Sequence, residues 1–166
     1  MTNESPDKSR LRIDRYIDTL KRLFEGNNWL DESFTKKLKD VDEQHAFAVP
    51  VPGFHSIAEI VWHCIYWKRV VIKHLEGDHD YKKKTVKQQN FLPAEELKAK
   101  GWTFLRDELF NTQTELLTLL GSLTDYSLDQ EYHPGYTHEF LLEGIVQHDA
   151  YHLGQIGLVN KLIVKR

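Results

Sequence analysis

The chain is 166 residues long, 40% hydrophobic and 28% charged, which suits one globular domain with a sizeable core. Its formal net charge of −3 gives no electrostatic reason to expect a nucleic-acid partner. The single cysteine, Cys64, excludes an internal disulfide framework and suits a reducing, cytoplasmic setting. No apolar run approaches the ~20 residues that span a bilayer, so no membrane partner is expected.

The start, "MTNESPDKSR", lacks the apolar centre of a secretory signal; residues 1–7 read as a flexible polar tail ahead of one domain over 8–166. A helical pattern runs from Ser9 to Glu25, with Ile13, Tyr16, Ile17, Leu20, Leu23 and Phe24 on one face and Gly26 as its cap. Residues 27–55 hold a short amphipathic piece at Phe34–Leu38 and then an extended "VPVPGF", where Pro50 and Pro52 discourage helix. Ser56 and Glu59 have capping-box spacing before the second long helix. That helix carries Ile57, Ile60, Val61, Cys64, Trp67, Val71 and Leu75, and Gly77 ends it.

The polar stretch "DHDYKKKTVKQQN" follows and reads as a long loop, mobile or functional. Its lysines, Lys82–Lys84, together with Lys36, Lys37 and Lys39, sit among acidic residues and read as solvated surface. Pro93 suits the first turn of a third helix that continues through Leu97, Phe104, Leu105, Leu109, Leu116, Leu119 and Leu120 to Gly121. A loop containing "HPGY" leads to Thr137 as N-cap of a fourth helix that runs close to the C-terminus. No strand alternation of any length is visible. Four long amphipathic helices indicate an all-α four-helix bundle with long interhelical connections.

The fourth helix contains "HDAYHLGQ" at 148–155. His148 and His152 lie on the stripe of Leu141, Ile145, Ile156 and Val159, the stripe that faces a core. Imidazoles buried there without partners cost roughly a few kcal/mol each, whereas two of them one turn apart can share a metal. A zincin site is excluded: Asp149 stands where its glutamate base belongs, and none of the 14 residues after His152 is His, Asp, Glu or Cys. A third ligand must come from upstream. His45, His55, His79, His133 and His138 fall in loops or at a helix edge, and His74 falls in the last turn of helix two, where the helix dipole explains it. His63 sits mid-helix between Ile60 and Trp67 and points from the apolar face. His63, His148 and His152 would make a facial set with open positions, the arrangement of a catalytic metal; hydrogen-bonded core histidines are the alternative. A di-iron carboxylate site needs Glu-x-x-His on two helices, and Glu59 and His63 are spaced by four.

Three neighbours could support such a site. Glu59 could orient a ligand or simply cap its helix. Gln155 could hydrogen-bond a metal-bound water or pack. Asp149, about 100° round the helix from His148, should bond to another element or act as a general base. Cys64 reads as a small buried hydrophobe, and Trp62, Tyr66 and Trp67 as core or dimer-face packing.

The stretches "SIAEIVWHCIYW" at 56–67 and "GIVQHDAYHLGQIGLV" at 144–159, with "GNNWLDESFTKKLKDV" at 26–41, resemble the DinB-like (DinB/YfiT) superfamily over nearly the whole chain, least over 76–92. The resemblance implies a four-helix bundle, often a homodimer, with a divalent metal on the matching His63, His148 and His152. Zn²⁺ or Ni²⁺ is expected first, and Mn²⁺ or Fe²⁺ as alternatives. Characterised relatives include bacillithiol S-transferases and mycothiol-dependent maleylpyruvate isomerase. That implies a metal-dependent thiol S-transferase of detoxification or stress response, in which a low-molecular-weight thiol cosubstrate, activated as thiolate, attacks an electrophile. The same ligands permit a hydrolase using metal-bound water, or a non-catalytic, metal-stabilised dimeric binding module.

Overall fold

A computed structural model describes residues 9–164; the expected tail, 1–7, lies outside them. Four long helices make the bundle: α1 (Leu11–Glu25), α4 (Ile57–Leu75), α7 (Trp102–Gly121) and α9 (His138–Val164). Between the first two lie α2 (Phe34–Leu38) and α3 (Glu43–Phe47), each capped by its own side chain, Ser33 accepting from the Lys36 amide and Asp42 from the His45 amide. The second gap holds α5 (Tyr81–Gln89) and α6 (Ala94–Lys100); the third holds α8 (Asp125–Leu128) and an antiparallel hairpin, β1 (Glu131–His133) and β2 (Tyr136–Thr137). Helix α4 packs against α7 and α9, and α1 closes the bundle against the same two. No helix among the described residues is long and apolar enough to cross a membrane.

The all-α bundle stands as expected, with three local corrections. The stretch 78–90 is not a loop, because α5 occupies most of it. Periodicity could not reveal this helix, since none of its residues is buried and it has no apolar face to read. The third helical pattern is two helices, broken at Gly101, whose φ of 81° and ψ of 154° belong to a region essentially reserved for glycine. The "HPGY" segment is a short hairpin turning at Gly135 (φ 79°), too short to show alternation.

The first helix lacks a side-chain cap of its own. Asp125 supplies one from α8, its carboxylate accepting from the backbone amides of Arg12 at 3.0 Å and Ile13 at 2.9 Å. The Arg12 guanidinium binds Asp129 at 2.9 Å and Glu139 at 2.8 Å, fastening α1 to the start of α9.

The core is divided into two apolar clusters. One gathers Phe24, Phe34, Ile60, Ile65, Trp102, Leu105, Leu153 and Ile156, and the other Ile13, Leu20, Val71, Ile72, Leu116, Leu120, Leu142 and Ile145. Along α4 the first stops at Ile65 and the second begins at Val71; along α9 the second stops at Ile145 and the first resumes at Leu153. Lys68 and Asp149 fall in those gaps. Replacing Gly101 by alanine is expected to lower unfolding free energy by about 1–3 kcal/mol through backbone strain alone, read from urea titrations with an unchanged m-value.

Candidate metal centre

Helix α4 is set by the capping box the sequence signals. Glu59 Oε2 accepts from the Ser56 amide and hydroxyl, both at 2.8 Å, and the Ser56 hydroxyl accepts from the Glu59 amide at 3.3 Å. From that start, His63 falls at mid-helix on the side facing α9. On α9, His148 and His152 face back one turn apart. Ring-centroid separations are 5.0 Å for His63–His148, 4.7 Å for His63–His152 and 4.3 Å for His148–His152. One ligand nitrogen from each ring lies within 4.8 Å of the other two. His63 and His152 are 9% and 8% exposed, and His148 is half-buried.

The electrostatics favour neutral rings at His63 and His152. Burial, then the nearby His152 and His148 rings, pushes His63 down to about 4 against the oxygens of Asn90. Burial and then His148 hold His152 at about 4, opposed by Gln155 and Asp149. Neutral imidazole is the form that offers a lone pair to a cation. His152 is also oriented: its Nδ1 donates to Gln155 Oε1 at 2.6 Å, while Gln155 Nε2 donates to the Tyr151 hydroxyl at 3.0 Å. With Nδ1 carrying the proton, Nε2 has a free lone pair, the second-sphere pattern of metal-ligating histidines.

Within this group, three buried ring nitrogens find no hydrogen-bond partner among the described residues: Nδ1 of His63 and both nitrogens of His148. Buried polar atoms left this way call for a partner from outside the chain, and a divalent cation fits three converging imidazoles.

Of the other sequence candidates, Glu59 is engaged at the helix start and Asp149 meets the group at His148. Glu59 stays at the helix start, with Oε1 taken by His55 Nδ1 at 3.2 Å. Burial pushes its carboxyl up, but the bonds from Ser56 and His55 outweigh that and hold it below the usual carboxylate range. Asp149 is fully buried and bonded to the Lys68 ammonium, itself fully buried. Burial would raise its carboxyl as well, yet Lys68 first, and then the His148 contact, keep it lowered; its second oxygen lies 3.9 Å from His148 Nδ1. Cys64 approaches His148 and Asp149 closely enough to suggest a rival ligand set. Burial and then the Asp149 charge push its thiol well above the ordinary value, and Asp149 already has its counter-charge.

Lys68 and Phe91 escaped sequence reasoning. A lysine inside the apolar run of α4 was a visible signal, since buried lysines require a partner. Phe91 gave none: it follows α5 and stacks on His63 at 4.3 Å and on His55 at 4.5 Å, covering one side of the histidines. On the other side, His148 borders an open cavity of about 270 Å³ walled by Trp67, Ile145 and Phe140.

The model of the DinB superfamily matches residues 29–156, a span holding all three histidines. The crystal structure of a conserved protein from Enterococcus faecalis is 15% identical with a TM-score of 0.61, over 93% of this chain and 94% of that one. At that identity the likeness concerns the fold alone. No curated protein matches the chain.

Two outcomes are expected. Lys68→Met strands a buried carboxylate and should cost about 3–5 kcal/mol, while Lys68→Met with Asp149→Leu should recover most of that loss; chemical denaturation measures both. In metal-free protein, His63 and His152 at about 4 bind protons in the unfolded chain before they do so in the native one. Stability should therefore be full above the ordinary histidine range near 6.5 and fall as pH drops from there towards 4. A His63→Gln, His152→Gln variant should show a flatter profile over that window.

Proposed function

We propose that this chain, which belongs to the DinB superfamily, holds a divalent metal on His63, His148 and His152 and transfers a small-molecule thiol to an electrophile. The observation that carries the proposal is the convergence of three imidazoles, with unpartnered buried nitrogens, at the edge of an open cavity. A divalent cation there would supply positive charge that lowers the pKa of a thiol or water brought beside it.

The chain's own residues define the remaining work. Gln155 fixes the His152 tautomer by accepting from Nδ1. Phe91 shields His63 from bulk water, and the Lys68–Asp149 pair holds His148 in register with α4. Of the catalytic candidates, Gln155 becomes a positioning residue, Glu59 a helix cap, and Asp149 a structural anion.

That distribution favours thiol transfer over hydrolysis. Attack by water benefits from a general base within hydrogen-bond reach; Asp149, the carboxylate read as a candidate base, is engaged by Lys68, and Glu59 is engaged by Ser56. A thiol whose proton is already lost needs no such base.

The test loads the protein with Zn²⁺, Ni²⁺, Mn²⁺ or Fe²⁺ and measures monochlorobimane conjugation with bacillithiol, mycothiol, glutathione and cysteine. Conjugation with at least one thiol is expected, lost in His63→Ala and His148→Ala. Tight one-to-one metal binding with silence across the matrix would overturn the transferase; p-nitrophenyl acetate hydrolysis in the same samples would identify a hydrolase, and inertness to both a binding module. Gln155→Ala should weaken metal affinity about 10–100-fold, read by competition with a chelating dye.

A further inference from the structure

The cavity beside His148 continues past the histidines. A second cavity, of about 470 Å³, is lined by His79, Lys83 and Tyr136, and shares His74, Lys82, Tyr132 and Phe140 with the first. The two form one trough between α4, α5, the hairpin and α9, of the size that takes a small organic molecule. Its inner part is apolar and aromatic; its outer part carries Lys82, Lys83 and His79. Among the described residues, no aspartate or glutamate lines either cavity.

Lys82 stands where the parts meet. Its ammonium lies 5.0 Å over the Trp67 ring, which also neighbours His148 at 5.9 Å and His63 at 6.3 Å between ring centroids. Lys83 pairs with Asp80 at 3.2 Å and Lys84 with Asp78 at 3.7 Å, whereas no carboxylate among the described residues pairs with Lys82. One aromatic ring thus separates a cation without a counter-charge from the three-histidine group. A neutral occupant would displace water from that ammonium without replacing it; an anion would neutralise it.

Resting on the three-histidine centre for its reactive end, we infer that this trough binds a small organic anion. Its carboxylate, sulfonate or phosphate sits at Lys82, backed by Lys83 and His79. Its aromatic or aliphatic body lies along Trp67 and Phe140, which brings its other end beside His148. Lys82 and Lys83 are then a recognition element, in contrast to the solvated surface their sequence suggests.

The test uses 2-naphthoate and its neutral counterpart 2-naphthylmethanol, titrated calorimetrically into zinc-loaded and chelator-treated protein. In both states naphthoate is expected to bind at least about tenfold tighter than the alcohol. Lys82→Met, which keeps an unbranched apolar stem at an exposed position, should erase that preference while leaving the alcohol within about twofold. Lys84→Met, outside the trough, should change neither. Equal binding of acid and alcohol by the wild type, binding of neither, or a preference that survives Lys82→Met would overturn the inference. Metal analysis of the same samples separates the two proposals. A metal-free wild type that still prefers naphthoate retains the trough and loses the centre; a metal-bound wild type without the preference does the reverse.

Discussion

The ion pair between Lys68 and Asp149 is the constraint on which the rest of the bundle depends. Both side chains are buried between the two apolar clusters, where an unpaired charge would cost several kcal/mol. Apolar side chains alone tolerate sliding and rotation of one helix on another at modest cost. A buried charge does not, because any register that separates the partners leaves both without water and without each other. Lys68 is five residues beyond His63, and Asp149 adjoins His148. The register the pair selects between α4 and α9 is therefore the register in which three histidines meet.

The same pair shapes the charge around those histidines. A lone carboxylate 3.9 Å from His148 Nδ1 would favour protonated imidazoles nearby, and an imidazolium cannot ligate a cation. Lys68 answers that charge from within the core, and burial keeps His63 and His152 neutral. Lone pairs are thus available on rings that solvent would otherwise tempt to protonate. Their orientation is secured separately, by Gln155 on His152 and by Phe91 stacked on His63.

Much of this was legible in the sequence because it followed from helical period. The stripe of Ile145, His148, His152, Ile156 and Val159 is a matter of spacing, and His63 stood out by lying between Ile60 and Trp67. Ser56 and Glu59 announced the start of α4 through the capping box they form. What escaped was whatever depends on contacts between distant segments. The α5 helix has no buried residue, so no apolar rhythm marked it. Gly101 interrupts a pattern whose apolar spacing continues across the break. Asp149 was expected to bond to another element, yet nothing in its neighbourhood named Lys68 as the partner, since pairing across 81 positions leaves no local trace.

Helix α5 shows how a polar segment can still be placed with purpose. Without an apolar face it cannot be held by burial, and isolated helices this short are marginal in water. Its attachments are side chains of α4 instead. The Trp62 indole donates to the Gln89 carbonyl at 2.8 Å, the Tyr66 hydroxyl meets Thr85 at 3.2 Å, and the Trp67 ring lies under Lys82 at 5.0 Å. Three aromatic residues of the histidine-bearing helix thus grip the segment at three points along its length. Net hydrogen bonds of this kind contribute roughly 0.5–1.5 kcal/mol each, enough to locate a helix and too little to lock it. The segment that carries Lys82 to the trough and leads to Phe91 over His63 is accordingly held to α4 by these side-chain contacts, with no residue of α5 itself buried.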